Sequence, residues 1–291
     1  MSPKLFYKQK ESFSRLAALA QKQEFSNQLL EGKCWFKIAG INSRRWIYFL
    51  LKLFSGLSSD LSLLDSMSLS ENRMFRMFCY TLWDLKQDDF TKGNVKNKIL
   101  ELVNNNIVLS EINELLRYNL NRIDFVDKSV LDYDIPLDLH CSYSRDQILV
   151  AMDDFAPHNM REGVKYFSKF KTDVFLITLN KSEKEYSPST RYQDYSINEN
   201  LFHWQSQSTT SAESATGQRY INQEKQGNTV LLFVRNAKSS RVATTFTENY
   251  TFLGKAHYAS HTGSRPMNVI WRLEEPVPPK FLKTTSKLMV G

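Results

Sequence analysis

The first part of the chain carries apolar residues at helical spacing. Trp46, Leu50, Leu53 and Leu57 recur every three or four positions, which predicts a helix with one apolar face. Lys52 interrupts this run, which is too short to cross a bilayer, so we expect a buried helix rather than a membrane span. Similar spacing predicts further helices over residues 13–20, 74–85, 95–103, 112–120 and 145–155, with Ser70 and Ser144 as candidate N-caps of the second and the last.

After Gly163 the pattern changes to short runs rich in β-branched and aromatic residues, which predict strands. We therefore expect an α+β protein in which a mixed β-barrel follows an N-terminal helical domain. The polar stretch over residues 121–136 marks the boundary, giving a helical connector domain over residues 1–135 and a β-rich domain over residues 136–291. The predicted strands are residues 173–179, 201–207, 229–235 and 268–273. Turns are predicted at Ser187-Pro188, Thr216-Gly217, Gln226-Gly227 and Thr262-Gly263.

The charge balance favours an acidic partner. The 38 Lys and Arg residues exceed the 31 Asp and Glu residues, for a formal net charge of +7. Residues 137–291 carry 19 of these cations against 15 anions, so the excess is spread along the chain rather than packed into one tail. Any binding face must therefore be assembled by folding, and nucleic acid is the class of partner that the charge suggests.

The cysteine pattern and the N-terminus bear on the compartment. Cys34, Cys79 and Cys141 stand far apart with no C-x-x-C pair, which argues against a disulfide framework or a zinc site. The N-terminal residues lack the apolar stretch of a secretion signal. We expect a cytoplasmic protein with no membrane partner.

Several catalytic signatures are missing from the sequence. There is no Gly-rich P-loop ending in Gly-Lys-Ser/Thr, no H-E-x-x-H pair and no G-x-S-x-G elbow, and none of the five histidines begins an H-x-K pattern. Gln223-Glu224-Lys225 resembles a nuclease fragment, but a polar turn between strands explains it as well. We expect a non-enzymatic chain without catalytic residues, cofactor or metal.

Residues 186–220 combine aromatic, amide, hydroxyl and arginine side chains, which are the groups that contact bases and phosphates. Alternation along the predicted strand places Phe202, Trp204 and Ser206 on one face. His203, Gln205 and Gln207 lie on the other, so the two glutamines are favoured over Trp204 for polar contacts. Trp204 is interpreted either as a core residue or as the wall of a base pocket. The candidate base-binding residues are Tyr192, Asp194, Tyr195, His203, Trp204, Gln205 and Gln207.

Asp194 and the cations have alternative interpretations. Asp194 suits the amino group of a cytosine, or serves as a turn carboxylate or surface ion pair. Arg219 suits a phosphate or pairs with an acid, and the polar run over residues 261–266 approaches a phosphate or is a structural turn. The candidate phosphate-binding residues are Thr190, Arg191, Ser206, Arg219, Ser264 and Arg265.

Long motifs over roughly residues 135–280 resemble one family, the C-terminal domain of large proteins that join a phospholipase-D nuclease to a superfamily-two helicase. The stretches that carry the resemblance are LHCSYSRDQIL, FLITLNKSEKEYSPSTRYQDYSINENLFHWQSQS, TGQRYI, LLFVR, YTFLGKAHY and SRPMNVIWRL. Residues 1–130 resemble the connector between the helicase and this terminal domain. Neither the nuclease nor the motor of the family is present in this chain.

The resemblance implies a role in type IV restriction, as in enzymes similar to SauUSI, which cut DNA bearing 5-methyl- or 5-hydroxymethylcytosine. The terminal domain would then be an isolated reader of modified cytosine in double-stranded DNA, with an architecture similar to the SRA or PUA-like pseudobarrels. Its partners would include the upstream nuclease and helicase domains. Base flipping and groove reading of the methyl group both stay open. The alternatives are a reader of another mark such as phosphorothioate, a sequence-blind DNA clamp for the helicase, or a protein-docking module.

Overall fold

The computed structural model describes residues 32–57, 61–86, 88–131, 134–180, 194–240 and 243–285. The chain divides into two compact units. The first comprises Met1–Met160 and Arg241–Asn249, and the second comprises Arg161–Ser240 and Tyr250–Gly291. The units thus divide later in the chain than the predicted domain boundary at residue 135.

The first unit is helical, as the apolar spacing predicted. Its longest helices bury one face each; in the helix that begins at Arg44, for example, Trp46, Ile47 and Leu50 are buried. The predicted helix over residues 13–20 lies outside the described residues. No helix in the described ranges is long and apolar enough to cross a membrane. The helices are α1 Gly32–Ile38, α2 Arg44–Gly56, α3 Leu69–Leu82, α4 Asn94–Asn104, α5 Asn106–Leu120 and α6 Arg145–Ala151.

Two of these helices begin with a capping box, in which a serine side chain and a residue three positions later satisfy each other's backbone N–H groups. Ser144 caps α6 in this way with Gln147, which confirms the predicted cap. Helix α3 is capped by Ser68 with Glu71 rather than by Ser70, because only the earlier serine has a glutamate three positions ahead. Helix α6 also ends sooner than predicted, at Ala151.

Strands and two short helices account for the second unit, and the residues of β1 and β8 belong to the first. Each predicted strand is present within a residue or two of its expected bounds. The strands are β1 Ser142–Tyr143, β2 Val164–Phe167, β3 Thr172–Asn180, β4 Tyr195–Ser196, β5 Leu201–Gln205, β6 Thr229–Ala237, β7 Ser239–Ser240, β8 Ala243–Thr247, β9 Tyr250–Thr262 and β10 Asn268–Leu273. The helices are α7 Ala215–Ile221 and α8 Pro279–Thr285.

Seven strands of the second unit form one mixed sheet in the order β2-β3-β6-β9-β10-β5-β4. The β3–β6 pair is parallel and the other five neighbouring pairs along this path are antiparallel. A closed barrel requires the first and last strands to pair, and among the described residues no pairing joins β2 to β4. The predicted mixed β-barrel is therefore not closed, and these strands form an open mixed sheet.

Strand β9 is the longest and carries two β-bulges. Its pairing with β6 shifts by one residue at Leu253, and its pairing with β10 shifts by one residue at Ala259. The second bulge lets Tyr258 pair with Trp271 while Ser260 pairs with Ile270, so residues two positions apart lie on opposite faces.

An aromatic core lies on one face of the sheet, under α7. Phe175, Trp204, Tyr220 and Trp271 are all buried and contact one another, with ring centroids 4.3 Å apart for the closest pair, Phe175 and Trp204. Helix α7 contributes Tyr220 to this group. It also contains Thr216-Gly217, which was predicted as a turn, so that prediction is wrong.

The close approach of α7 to the loop before it explains the glycine. A Cβ atom at Gly217 would lie 2.1 Å from the backbone oxygen of Ser211 and 3.0 Å from Ala212 Cα. These are main-chain atoms, so they cannot move aside as a flexible side chain would. Glycine at this position is therefore required by packing and not by a turn.

Candidate nucleic-acid interface

The second face of the sheet changes character along the strand order. Beneath β3 and β6 it is buried and mostly apolar, with Val174 and Leu231 both at 0% exposure and one buried polar pair, Thr178 and Arg235. Along β5, by contrast, buried and half-buried positions alternate, with Phe202 and Trp204 in the core and His203 and Gln205 on the opposite face. This alternation confirms the faces that the sequence pattern predicted.

Strand register arranges the side chains of the half-buried face in three cross-strand rows. Strands lie about 4.8 Å apart and residues two positions apart along a strand are about 6.7 Å apart, so neighbouring rows lie within the width of a base. We call these residues the polar sheet face. Its middle row is Tyr195, His203, Ile270 and Ser260; one flanking row is Gln205, Asn268 and Thr262; the other is Leu201, Arg272 and His257.

The middle row begins with two stacked aromatic rings. The Tyr195 and His203 rings lie across β4 and β5, with centroids 4.8 Å apart and planes inclined by 17°. Both residues are half-buried. Flat, partly exposed aromatic faces of this kind can stack on a base that has left its own stack.

The first flanking row contains a pair of amides. Gln205 Nε2 donates a 3.1 Å hydrogen bond to Asn268 Oδ1, directly opposite on β10. This bond orients both amide groups. Among the described residues Gln205 Oε1 and Asn268 Nδ2 make no other hydrogen bond, so an acceptor and a donor stand next to each other, as base edges require.

Sequence reasoning missed Asn268. Its position at the start of a predicted strand gave no sign of a partner, because the pairing of β5 with β10 joins segments more than sixty residues apart. The alternation of β10 would have placed it on the face of Ile270 and Arg272, but not opposite Gln205.

The other flanking row supplies positive charge. Arg272 is exposed on β10, opposite Leu201 on one side and His257 on the other. His257 Nδ1 lies 3.0 Å from Glu224 Oε1, so its ring is held by an acid of the turn before β6. Arg272 is the cation of this face that can meet a phosphate.

Asp194 lies beside this face but is directed into the fold. It is 7% exposed, and its Oδ1 accepts a 2.9 Å hydrogen bond from the backbone N–H of Gln205. This contact ties the residue before β4 to the end of β5. It favours the turn-carboxylate interpretation and gives Asp194 a part in positioning Tyr195 and Gln205.

The two polar segments picked out in the sequence meet at one end of the sheet. The backbone N–H of Ala212 donates to Ser264 Oγ at 3.2 Å, and the N–H of Arg265 donates to Thr210 O at 3.3 Å. Ser264 and Arg265 are exposed in this position. Gln207, half-buried, lies in the first of the two loops. Both candidate phosphate residues of the later segment therefore stand at the surface near the amide row.

Ser206 lies in the same region but has no access to solvent. It is 0% exposed; its Oγ accepts from the backbone N–H of Met267 at 2.9 Å and donates to Gln207 O at 3.1 Å. A hydroxyl in this position cannot reach a phosphate in this conformation. The predicted phosphate contact of Ser206 is therefore wrong, and its hydroxyl instead links the loop after β5 to the loop after β9.

Arg219 is also engaged inside the second unit. Its Nε and Nη2 donate to Asp173 Oδ2 and Oδ1 at 2.7 and 2.9 Å, and its guanidinium lies 4.2 Å from the ring centroid of Tyr166. Burial raises the pKa of Asp173, and the Arg219 charge acts in the opposite direction. Arg219 therefore forms an ion pair with an acid, which was the alternative interpretation, instead of the predicted phosphate contact.

The other candidates divide between the core and the undescribed residues. Trp204 is 5% exposed and packs between Phe175 and Tyr220, as the core interpretation has it. Within the described ranges, no three His, Cys, Asp or Glu residues are grouped so that they could hold a metal ion. Thr190, Arg191 and Tyr192 lie outside the described residues.

Residues 137–284, just over half of the chain, match a family model described as a domain of unknown function, DUF3427. The chain belongs to this family. No curated protein matches the sequence. The DUF3427 region contains the whole polar sheet face, together with the two loops that meet beside it.

Proposed function

We propose that the chain is the DNA-recognition module of a type IV restriction enzyme and reads 5-methylcytosine or 5-hydroxymethylcytosine in duplex DNA. It has no catalytic role of its own in this proposal. Nuclease and helicase domains upstream of the DUF3427 region would cut and move the DNA. The family resemblance in the sequence suggested this context.

The observation that carries the proposal is the composition of the polar sheet face. A stacked pair of aromatic rings, Tyr195 and His203, lies next to an oriented amide pair, Gln205 and Asn268. Aromatic faces hold bases, and amides contact base edges through paired donors and acceptors.

Phosphate contacts would come from the margins of this face. Arg272 lies within it, and Arg265 with Ser264 lies at the surface in the loop that follows β9. The net charge of +7 favours a polyanion over a basic or neutral surface. Binding by such contacts weakens steeply with added salt, because neutralised phosphates release counterions.

Base flipping is the proposed mode of recognition, and an SRA- or PUA-like pseudobarrel is the proposed finer architecture. Extruding a base costs a few kcal/mol, which contacts in the flipped position must recover. The Tyr195–His203 stack is the proposed platform for that base. Trp204 would support the platform from the opposite face of β5 without touching the base.

The proposal is tested by fluorescence-anisotropy titration at one moderate salt concentration. The duplexes carry 5-methylcytosine, 5-hydroxymethylcytosine, a phosphorothioate linkage or no modification, in several flanking contexts. Tenfold or greater preference for a modified-cytosine duplex is the expected result. His203→Ala should remove it, while His158→Ala, an exposed histidine of the first unit, should not.

Each other outcome would favour one of the alternatives. Equal affinity for all duplexes would make the chain a sequence-blind clamp. Preference for the phosphorothioate duplex would make it a reader of that mark. Absence of binding, with capture of the helicase domain in a pull-down, would make it a docking module.

A further inference from the structure

Ile270 lies at the centre of the polar sheet face. In the middle row its neighbours are His203 on β5 and Ser260 on β9. Along its own strand, Asn268 and Arg272 are the next residues on the same face. Ile270 is half-buried, so part of an aliphatic side chain is presented among aromatic, amide, hydroxyl and cationic groups.

The chemistry of these neighbours matches a cytosine substituted at C5. Such a base differs from cytosine by one apolar methyl group or by one hydroxymethyl group. Apolar side chains recognise a base methyl by direct contact. A methyl group placed against Ile270 would leave the Gln205–Asn268 amides about one row away, near the edge of the same base or its neighbour.

Ser260 extends this match to the hydroxymethyl group. It follows Ile270 in the middle row and is exposed, so its hydroxyl is accessible from the same side of the sheet. The bulge at Ala259 brings it to this face, since in a regular strand without a bulge two residues two positions apart, such as Tyr258 and Ser260, would have the same orientation. A hydroxyl at this point can exchange a hydrogen bond with the oxygen of a hydroxymethyl group.

We infer that Ile270 is the residue that distinguishes a C5-substituted cytosine from cytosine, and that Ser260 extends recognition to 5-hydroxymethylcytosine. This inference rests on the proposed function, since it names the specificity residues of the same face. Ile270 contacts the methyl carbon, and Ser260 Oγ contacts the hydroxyl oxygen when one is present.

Binding of Ile270→Ala and Ser260→Ala proteins to three duplexes tests the inference, the duplexes differing only in cytosine, 5-methylcytosine or 5-hydroxymethylcytosine. Burying one methyl group is worth about 0.8 kcal/mol, or about fourfold in Kd. The wild-type chain should therefore favour the 5-methylcytosine duplex at least about fourfold on this contact alone. Ile270→Ala should lower the ratio of the two Kd values by about fourfold.

The other variants separate recognition from folding. Ile270→Val keeps a branched aliphatic group and should keep most of the preference, and Ile107→Ala removes the same atoms from an exposed position of α5 and should leave every Kd unchanged. Ser260→Ala should weaken binding of the 5-hydroxymethylcytosine duplex by several-fold and leave 5-methylcytosine binding unaffected. Circular dichroism and the Tm of each variant establish that it is folded.

The outcomes divide cleanly between this inference and the proposed function. If the wild-type chain prefers the modified duplexes and Ile270→Ala keeps that preference, the inference is overturned and the proposed function stands. If Ile270→Ala weakens all three duplexes equally, Ile270 is structural and the inference is again overturned. If the wild-type chain does not distinguish the duplexes, both fail together.

Discussion

Gln205 and Asn268 face each other across β5 and β10, and Gln205 Nε2 donates a 3.1 Å hydrogen bond to Asn268 Oδ1. Because this contact orients two amides on a half-buried surface, Gln205→Ala and Asn268→Ala should each weaken DNA binding by about 1–3 kcal/mol. The measurement is the Kd for a modified duplex at fixed salt. Both variants should keep a Tm near that of the wild-type chain.

Gln226→Ala is the matched control for that prediction. Gln226 is an exposed glutamine of the turn before β6, where its Oε1 accepts a hydrogen bond from Asn228 Nδ2. Its removal should leave the Kd unchanged. Unchanged binding by the Asn268→Ala protein would remove the amide pair from the interface.

The Asp173–Arg219 ion pair should be strongly cooperative in stability. The Asp173 side chain is 1% exposed and the Arg219 side chain 19% exposed. Removing one partner leaves a charge that is poorly hydrated, so Arg219→Met should cost roughly 3 kcal/mol, at the lower end for a buried pair because Arg219 is partly exposed. Asp173→Leu combined with Arg219→Met should cost less than the sum of the two single variants in a denaturant-unfolding cycle.

The same pair predicts a pH dependence. Burial raises the pKa of Asp173, so the native state keeps the carboxyl proton to a higher pH than the unfolded state does. Stability linked to this group is therefore present at low pH and is lost as pH rises through the raised pKa. Without the opposing charge of Arg219 this loss should grow, and the Arg219→Met protein should be less destabilised near pH 4 than near pH 7. An equal deficit at both pH values would contradict this assignment.

Gly217→Ala should destabilise the second unit through overpacking. The added Cβ would meet the main-chain oxygen of Ser211 at 2.1 Å, and relieving such a contact costs typically about 1–3 kcal/mol or more. Gly56→Ala is the matched helical control, because its Cβ would meet only the side-chain Cδ2 of Leu63, at 3.2 Å. The Tm should fall in the first variant only. Equal Tm values would show that the loop before α7 yields easily.

The capping box of α3 should make part of the stability of the first unit sensitive to acid. The backbone N–H of Ser68 donates to Glu71 Oε2 at 2.9 Å, and this bond is the main cause of a Glu71 pKa below its ordinary value of 4.5. A lowered acid pKa gives stability that is present above pH 4.5 and is lost as pH falls through the lowered value. Ser68→Ala should cost about 1 kcal/mol near neutral pH.

Comparison of two glutamate variants checks this sign. Glu71→Gln should lose less stability than the wild-type chain between neutral pH and pH values near 3, because its amide does not titrate. Glu114→Gln, at an exposed position of α5, should follow the wild-type profile. Parallel loss of Tm in all three proteins would exclude Glu71 as the source of the acid sensitivity.

The parts of the fold that depend on local sequence were predictable. The alternation of Phe202 and Trp204 with His203 and Gln205 gave the two faces of β5 before any partner strand was known. Ser144 was identifiable as a cap because capping chemistry spans only three residues. Ser68 carried the same signal, with Glu71 three positions later, and was missed in favour of Ser70.

The parts that depend on long-range pairing were not predictable. Asn268 is recognisable as a site residue only from the register of β5 with β10, which places it opposite Gln205. Closure of the sheet depends on whether its two edge strands meet, which runs of apolar residues do not encode. The sequence shows that Arg219 carries a positive charge but not which anion it contacts. Its partner is Asp173, which is buried on β3, a strand distant in the sequence.

The bulge at Ala259 makes the two partner strands unequal in how they would tolerate a change of length. Deleting Ala259 would regularise the β9–β10 ladder while leaving Tyr258 toward the core and Ser260 toward the outer surface. Strand β10 has no extra residue at this point. Deleting Val269 would therefore reverse the faces of the neighbouring residues and place Ile270 in the apolar interior. A single-residue deletion should therefore be tolerated at Ala259 in β9 but not at Val269 in β10.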